Sequence, residues 1–118
     1  MKINIDKHLH QDNLKAEIYH QFKLRFLTEP FALVCEYRVD KSRFDLTAYN
    51  TDTLDVIALI EVRRIGVKKP PRVFGRKHLK YAQYGCNILY ISEFGEVDNL
   101  LDDIEFCSAL KETENVLG

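Results

Sequence analysis

Apolar residues change their spacing along this chain, and each change marks an element. Leu14, Ile18 and Phe22, followed by Leu24 to Phe26, recur at helical spacing. Asp12 stands before them as an N-cap, with Lys15-Ala16-Glu17 in the first turns. The stripe ends near Thr28, ahead of Glu29-Pro30, where a residue before proline disfavours helix. Phe31 to Val39 then predicts a first strand, Asp40-Lys41-Ser42 a polar turn and Arg43 to Tyr49 a second strand. Asn50-Thr51-Asp52-Thr53 is turn-forming, and Leu54 to Arg64 predicts a third strand, which makes an antiparallel meander. In the second strand Phe44, Leu46 and Ala48 share one face while Asp45, Thr47 and Tyr49 share the other. In the third, Val56, Ala58, Ile60 and Val62 oppose Ile57, Leu59, Glu61 and Arg63. This strand is apolar on both faces until Glu61, which predicts a central position covered on each side.

Gly66 and Pro70-Pro71 interrupt the pattern with a basic loop. Val73 to Tyr84 predicts a second helix, closed by Gly85 as a left-handed cap. Asn87 to Ser92 follows as a short apolar strand, and a strand so close behind a helix completes a mixed sheet. The expected class is α/β, a mixed central sheet flanked by helices. Val97 to about Leu117 predicts an extra C-terminal helix with Leu100, Leu101, Ile104 and Leu110 as its apolar positions. Its other face is acidic, with Asp98, Asp102, Asp103 and Glu105, so it belongs away from any polyanion. Its apolar stripe is a candidate surface for a homodimer.

The chain has 118 residues, 46 % of them hydrophobic, enough for one core and hence a single domain over 1–118. With 30 % charged residues it contains no apolar run near the ~20 needed to span a bilayer, and the N-terminus lacks the apolar stretch of a signal peptide. Cys35, Cys86 and Cys107 are widely spaced and without CxxC, which predicts reduced thiols in a cytoplasmic protein, Cys35 and Cys86 in the core. The histidines have no spacing that links them to the cysteines as a zinc site.

A net charge of −1 hides a strong asymmetry. Arg63, Arg64, Lys68, Lys69, Arg72, Arg76, Lys77 and Lys80 put eight of the 17 basic groups into one acid-free segment. Clustered Lys and Arg gain affinity for a duplex by releasing its counterions, so this segment is the expected DNA-binding surface, the alternative being a solvated charged loop. Just before it stand Arg43-Phe44-Asp45 and Ile60-Glu61-Val62-Arg63. Two carboxylates on neighbouring strands, with a cation two residues after the second, are what a metal-dependent phosphodiesterase needs. Mg²⁺ is held by one or two carboxylates plus phosphate oxygens, and a nearby cation stabilises developing charge. A surface ion pair with Arg43 or Arg64 is the plainer role for Asp45, and one with Lys80 for Glu61.

Taken in order, Glu17 on a helix, Glu36-Tyr37, Arg43-Phe44-Asp45, Ile60-Glu61-Val62-Arg63 and Lys80-Tyr81-Ala82-Gln83-Tyr84-Gly85 resemble the PD-(D/E)xK nuclease superfamily over roughly residues 9 to 92. The resemblance implies a restriction-endonuclease-like α-β-β-β-α-β core and Mg²⁺-dependent DNA cleavage, Mn²⁺ serving as substitute. It implies Asp45, Glu61 and the main-chain carbonyl near Val62 as metal ligands. Glu17 and Gln83 would then be auxiliary catalytic groups. The superfamily's lysine position holds Arg63 here. Arginine stays protonated, so it stabilises charge and orients phosphate without serving as a base. Lys77 or Lys80 could replace the lysine from the second helix, or the bound metal could suffice alone. In the third option catalysis is lost and a DNA-binding or assembly module remains.

Overall fold

The computed structural model describes residues 1, 9–36, 38–39, 42–63 and 87–117. Helix α1 spans Leu9–Arg25 and buries Leu14, Ile18 and Phe22 along one side, as their spacing requires. It begins three residues ahead of Asp12, which therefore lies in the first turn, where its charge favours the helix dipole, and is not the N-cap. Strand β1 spans Phe31–Cys35 and stops where Glu36 takes a positive φ of 52°. A two-residue ribbon follows, β2 (Arg38–Val39) against β3 (Ser42–Arg43), and β4 spans Leu46–Asn50.

The two long strands expected over 31–39 and 43–49 are thus each divided, and at the same rung. Glu36 donates its N–H to the Asp45 carbonyl (3.0 Å), and the chain bends at both residues. Neither residue is a glycine, so nothing in the local sequence marks the bend. The following turn is built as its residues suggest. Asn50 Oδ1 accepts from the N–H groups of Asp52 (2.8 Å) and Thr53 (3.0 Å), and Leu54 closes it in the left-handed region (φ 65°).

Strand β5 spans Val56–Val62 and β6 spans Asn87–Ile91. The sheet order is β1-β4-β5-β6, with two antiparallel pairings and a parallel one between β5 and β6. This is the expected mixed α/β sheet, with β5 central and Ile57 to Ile60 all buried. After a 3₁₀ turn at Phe94–Glu96, helix α2 spans Val97–Leu117. A side-chain carboxylate organises its entry: Glu96 Oε1 accepts from the N–H of Ser92 (3.3 Å) and of Glu93 (2.9 Å).

Both described helices pack on one face of the sheet. Leu14, Ile18, Phe22 and Phe26 of the α1 region meet Leu46, Ala48, Ala58, Ile60 and Val62, and α2 adds Leu100, Leu101 and Ile104. Fully burying each Leu, Ile, Val or Phe among them contributes roughly 1.5–3 kcal/mol. The opposite face carries a smaller cluster of Phe44, Leu59 and Ile88, flanked by Val56 and Tyr90. Phe44 therefore does not share a face with Leu46 and Ala48, because the bend at Asp45 intervenes. Val56 likewise changes sides, since the β4–β5 register shifts between Ala48 and Tyr49. The second helix expected over 73–84 lies outside the described residues, as does Cys86. Cys35 is exposed, not in the core, and Cys107 is buried. Three of the four expected stripe positions of α2, Leu100, Leu101 and Ile104, are buried in the core, whereas Leu110 is exposed, as is Phe106 on the same helix. Among the described residues no helix is long and apolar enough to cross a membrane.

Candidate functional site

One end of the sheet gathers the start of β4 and the carboxyl ends of β5 and β6. Continuing the register that pairs Leu46 with Ile60 would set Phe44 opposite Val62, with a ladder bond between their main chains. The bend at Asp45 removes that bond, and a side chain replaces it. Asp45 Oδ2 accepts the N–H of Val62 (2.8 Å). The Asp45 main-chain carbonyl serves β1 through Glu36, so this one residue ties three strands together at the point where they diverge. On the other side of β5 the parallel pairing runs one bond further, Arg63 N–H donating to the Ile91 carbonyl (2.7 Å). Asp45 is thus at a strand start and in the plane of the sheet, not at the centre of a strand.

The first half of α1 lies over the same end. His10 Nε2 is 2.7 Å from the Ser92 carbonyl, which can only accept, so this nitrogen carries the proton. Gln11 Nε2 donates to the Val62 carbonyl (3.2 Å), and Lys15 Nζ lies 3.7 Å from Asp45 Oδ1. Gln11 and Lys15 are one helical turn apart and so project from the same side. Sequence reading gave none of these three residues a role. Only the docking of α1 onto the strand ends brings them here, and the one available signal was the four-residue spacing of Gln11 and Lys15.

The expected site residues divide into those that meet at this end and those that do not. Asp45 is bonded directly to Val62, between Glu61 and Arg63, so the two halves of the motif touch. Glu61 follows Leu59 by two positions, and alternation along β5 turns it to the face of Leu59 and Tyr90, away from Ile60 and Val62. Arg63 is on that side too, its guanidinium carbon 5.0 Å from the centre of the Tyr90 ring. Its Nε is buried with no hydrogen-bond partner among the described residues. Glu17 is two residues beyond Lys15, about 200° around the helix, and accepts from Gln21 Nε2 (2.9 Å). No described contact links Glu17 to Asp45. Gln83 and the basic residues Arg64, Lys68, Lys69, Arg72, Arg76, Lys77 and Lys80 lie outside the described residues.

Among the described residues no three His, Cys, Asp or Glu side chains form a group arranged to hold a metal ion. The expected donors are of a different make-up, two carboxylates and one carbonyl, all oxygen, which is the class that hard divalent cations take. A cavity of about 330 Å³ between α1 and β1 is separate from this end. It is lined mainly by apolar side chains, among them Phe22, Phe26, Phe31 and Leu33, with Lys23 and Glu29 as its charged residues and so no carboxylate pair. Compared with protein-family models, curated proteins and solved structures, the chain matches none of them.

Proposed function

We propose that this protein is a Mg²⁺-dependent DNA endonuclease of the PD-(D/E)xK kind. The observation that supports the reading is the 2.8 Å bond from Val62 N–H to Asp45 Oδ2. It joins two segments 17 residues apart in the chain, the two that the motif requires together. The order of strands agrees with the same reading, three antiparallel and the last parallel to the third. Ligands of open α/β sheets bind outside the carboxyl ends of parallel strands, where β5 and β6 end.

Asp45, Glu61 and the Val62 carbonyl would hold the cation. When bound there, Mg²⁺ supplies a more acidic water and neutralises charge on the phosphate. The remaining work falls to the chain. Asp45 is held by Val62 N–H, which fixes the orientation of its carboxylate. The basic segment from Arg64 to Lys80 holds the DNA backbone, and Arg63 adds a permanent positive charge at the strand end. In the net reaction the oxygen of one water bonds to phosphorus, one ester P–O bond breaks, and the departing oxygen takes up a proton. Cutting both strands of a duplex with one site per chain calls for a homodimer.

Incubating plasmid, forked and four-way DNA with the protein and Mg²⁺ or Mn²⁺, beside the Asp45→Asn variant, tests the reading. Metal-dependent cleavage that Asp45→Asn loses is the expected result. A second reading, a nuclease-fold module that binds DNA without cutting it, is favoured by the ammonium of Lys15 next to Asp45. Binding of the same DNAs with no cleavage under any divalent cation would select it.

A further inference from the structure

Two of the three expected donors at the strand end are already met by one helix. Gln11 takes the Val62 carbonyl, and Lys15 brings its ammonium to Asp45 Oδ1. The Lys15 side chain is 23 % exposed and that of Asp45 30 %. The pair is therefore partly withdrawn from water, where a charge acts over its neighbours more strongly. At 3.7 Å the contact is an ion pair but too long for a firm hydrogen bond. The ammonium is held near the acid without being locked to it.

Arg63 is placed differently. Its guanidinium stacks on Tyr90, on the face of Leu59, whereas Lys15 arrives from α1 on the face of Ile60 and Val62. Two cations thus flank the end of β5 from opposite faces, and only Lys15 has a described contact with Asp45. A lysine ammonium is a compact charge on a flexible four-carbon stem, able to turn from a carboxylate to a nearby phosphate oxygen. A guanidinium stacked on an aromatic ring gives up that contact if it moves.

We infer that Lys15, not Arg63, supplies the positive charge that stabilises the phosphate during cleavage, delivered from α1 and not from the strand that carries Glu61. This rests on the nuclease reading above. Lys15 acts as a fixed charge: it takes no proton, and it meets a non-bridging oxygen as negative charge builds there. Arg63 is then a positioning residue that keeps the β5 end against Tyr90. The same charge has a second consequence, because an ammonium beside Asp45 repels a divalent cation approaching that carboxylate.

The test compares the full chain as wild type, Lys15→Met, Lys15→Arg and Arg63→Ala. Three quantities are measured: plasmid cleavage with Mg²⁺, Mn²⁺ affinity by calorimetry without DNA, and the thermal midpoint. Lys15→Met is expected to lose about 10²-fold in cleavage, as removal of one preorganised charge does. It should bind Mn²⁺ several-fold more tightly and melt near the wild-type temperature. Lys15→Arg should recover at least a tenth of the wild-type rate, and Arg63→Ala should lose less than Lys15→Met. If wild type cleaves and Lys15→Met cleaves equally well, the Lys15 assignment is overturned while the nuclease reading stands. A Lys15→Met protein with unchanged Mn²⁺ affinity and a much lower melting point makes Lys15 a strut only, which also overturns it. Absence of cleavage by wild type with either cation removes the nuclease reading, and the role of Lys15 with it.

Discussion

Helix α1 is fastened to the rest of the protein by two ion pairs, one in its first half and one at its carboxyl end, and they differ in what surrounds them. At the carboxyl end Arg25 reaches across to α2, donating to Asp102, to Glu105 (2.9 Å) and to the Asp98 carbonyl (3.3 Å). Its acids are 60 % and 62 % exposed, so water and salt compete for every contact. Toward the amino end Lys15 meets a single acid, at longer range, but that acid is half as exposed and also carries a main-chain N–H. Arg25 has better geometry and Lys15 the drier setting. Three hydrogen bonds on an exposed arginine describe a clasp between helices. One loose ammonium over a carboxylate that caps a strand end describes a place where something else can bind.

Asp45→Asn should separate the two most sharply. The amide keeps an oxygen for Val62 N–H, so the strand end survives while the charge is lost. Cleavage should fall on the order of 10²- to 10³-fold, with DNA binding retained. Arg25→Ala, assayed alongside, should cleave at the wild-type rate. A wild-type rate in Asp45→Asn would place the chemistry elsewhere and leave both pairs as clasps.

Replacing Lys68, Lys69 and Arg72 together by alanine addresses the other half of the proposal, the grip on the DNA backbone. Affinity should drop, and the slope of log K against log salt should become shallower by about 0.9 for each phosphate no longer neutralised. An unchanged slope would show that this segment does not hold DNA, and the charge at the strand end would then act alone.

What could be read from the chain, and what could not, follows the same division. The sheet was legible because alternation and the doubly apolar run from Val56 to Ile60 are local signals. Strand β5 is central, as that run demanded, and α2 covers Val97 to Leu117 as its spacing suggested. The site was legible only as an inventory. Asp45 and Glu61 could be named, but the chain bends at Asp45 itself and at Glu36 across from it, whose positive φ no residue type announces. Lys15 could not be named at all, because a helix's docking angle decides which of its surface residues reaches a distant strand. The α2 stripe was ambiguous in another way: an apolar face is required equally by a core and by a partner, and here the core takes Leu100, Leu101 and Ile104 while Leu110 stays exposed.

Arg25→Ala should also bear on stability, and only slightly. Exposed pairs are worth about 1 kcal/mol or less, because the Coulomb gain in water barely exceeds the cost of holding long side chains still. Chemical denaturation at low salt should show that loss, and added salt should shrink it toward zero. A loss of several kcal/mol, insensitive to salt, would mean that the carboxyl end of α1 depends on this cluster far more than its exposure indicates.

The smallest effect concerns the middle of α1, between the two pairs, where Tyr19 is a third fastening of neutral type. Its hydroxyl donates to the Leu33 carbonyl (3.1 Å) and lies 3.2 Å from the Cys35 sulfur. Burial first, and then the hydrogen bond with Cys35, push its pKa well above the ordinary tyrosine value. The sign follows from linkage. Below about pH 10 the phenol is neutral in folded and unfolded chains alike, and the contribution of the hydroxyl is fully present. Above that pH the unfolded chain ionises first, so the stabilisation is lost as pH rises toward the folded value. Tyr19→Phe should cost about 0.5–1.5 kcal/mol at neutral pH by removing one hydrogen bond. The difference between wild type and Tyr19→Phe in urea midpoint should then hold up to about pH 10 and narrow as pH rises beyond it, as wild type alone loses this contribution. Parallel curves over that range would mean that the hydroxyl stays solvated, leaving α1 fastened by its two ion pairs and its apolar side.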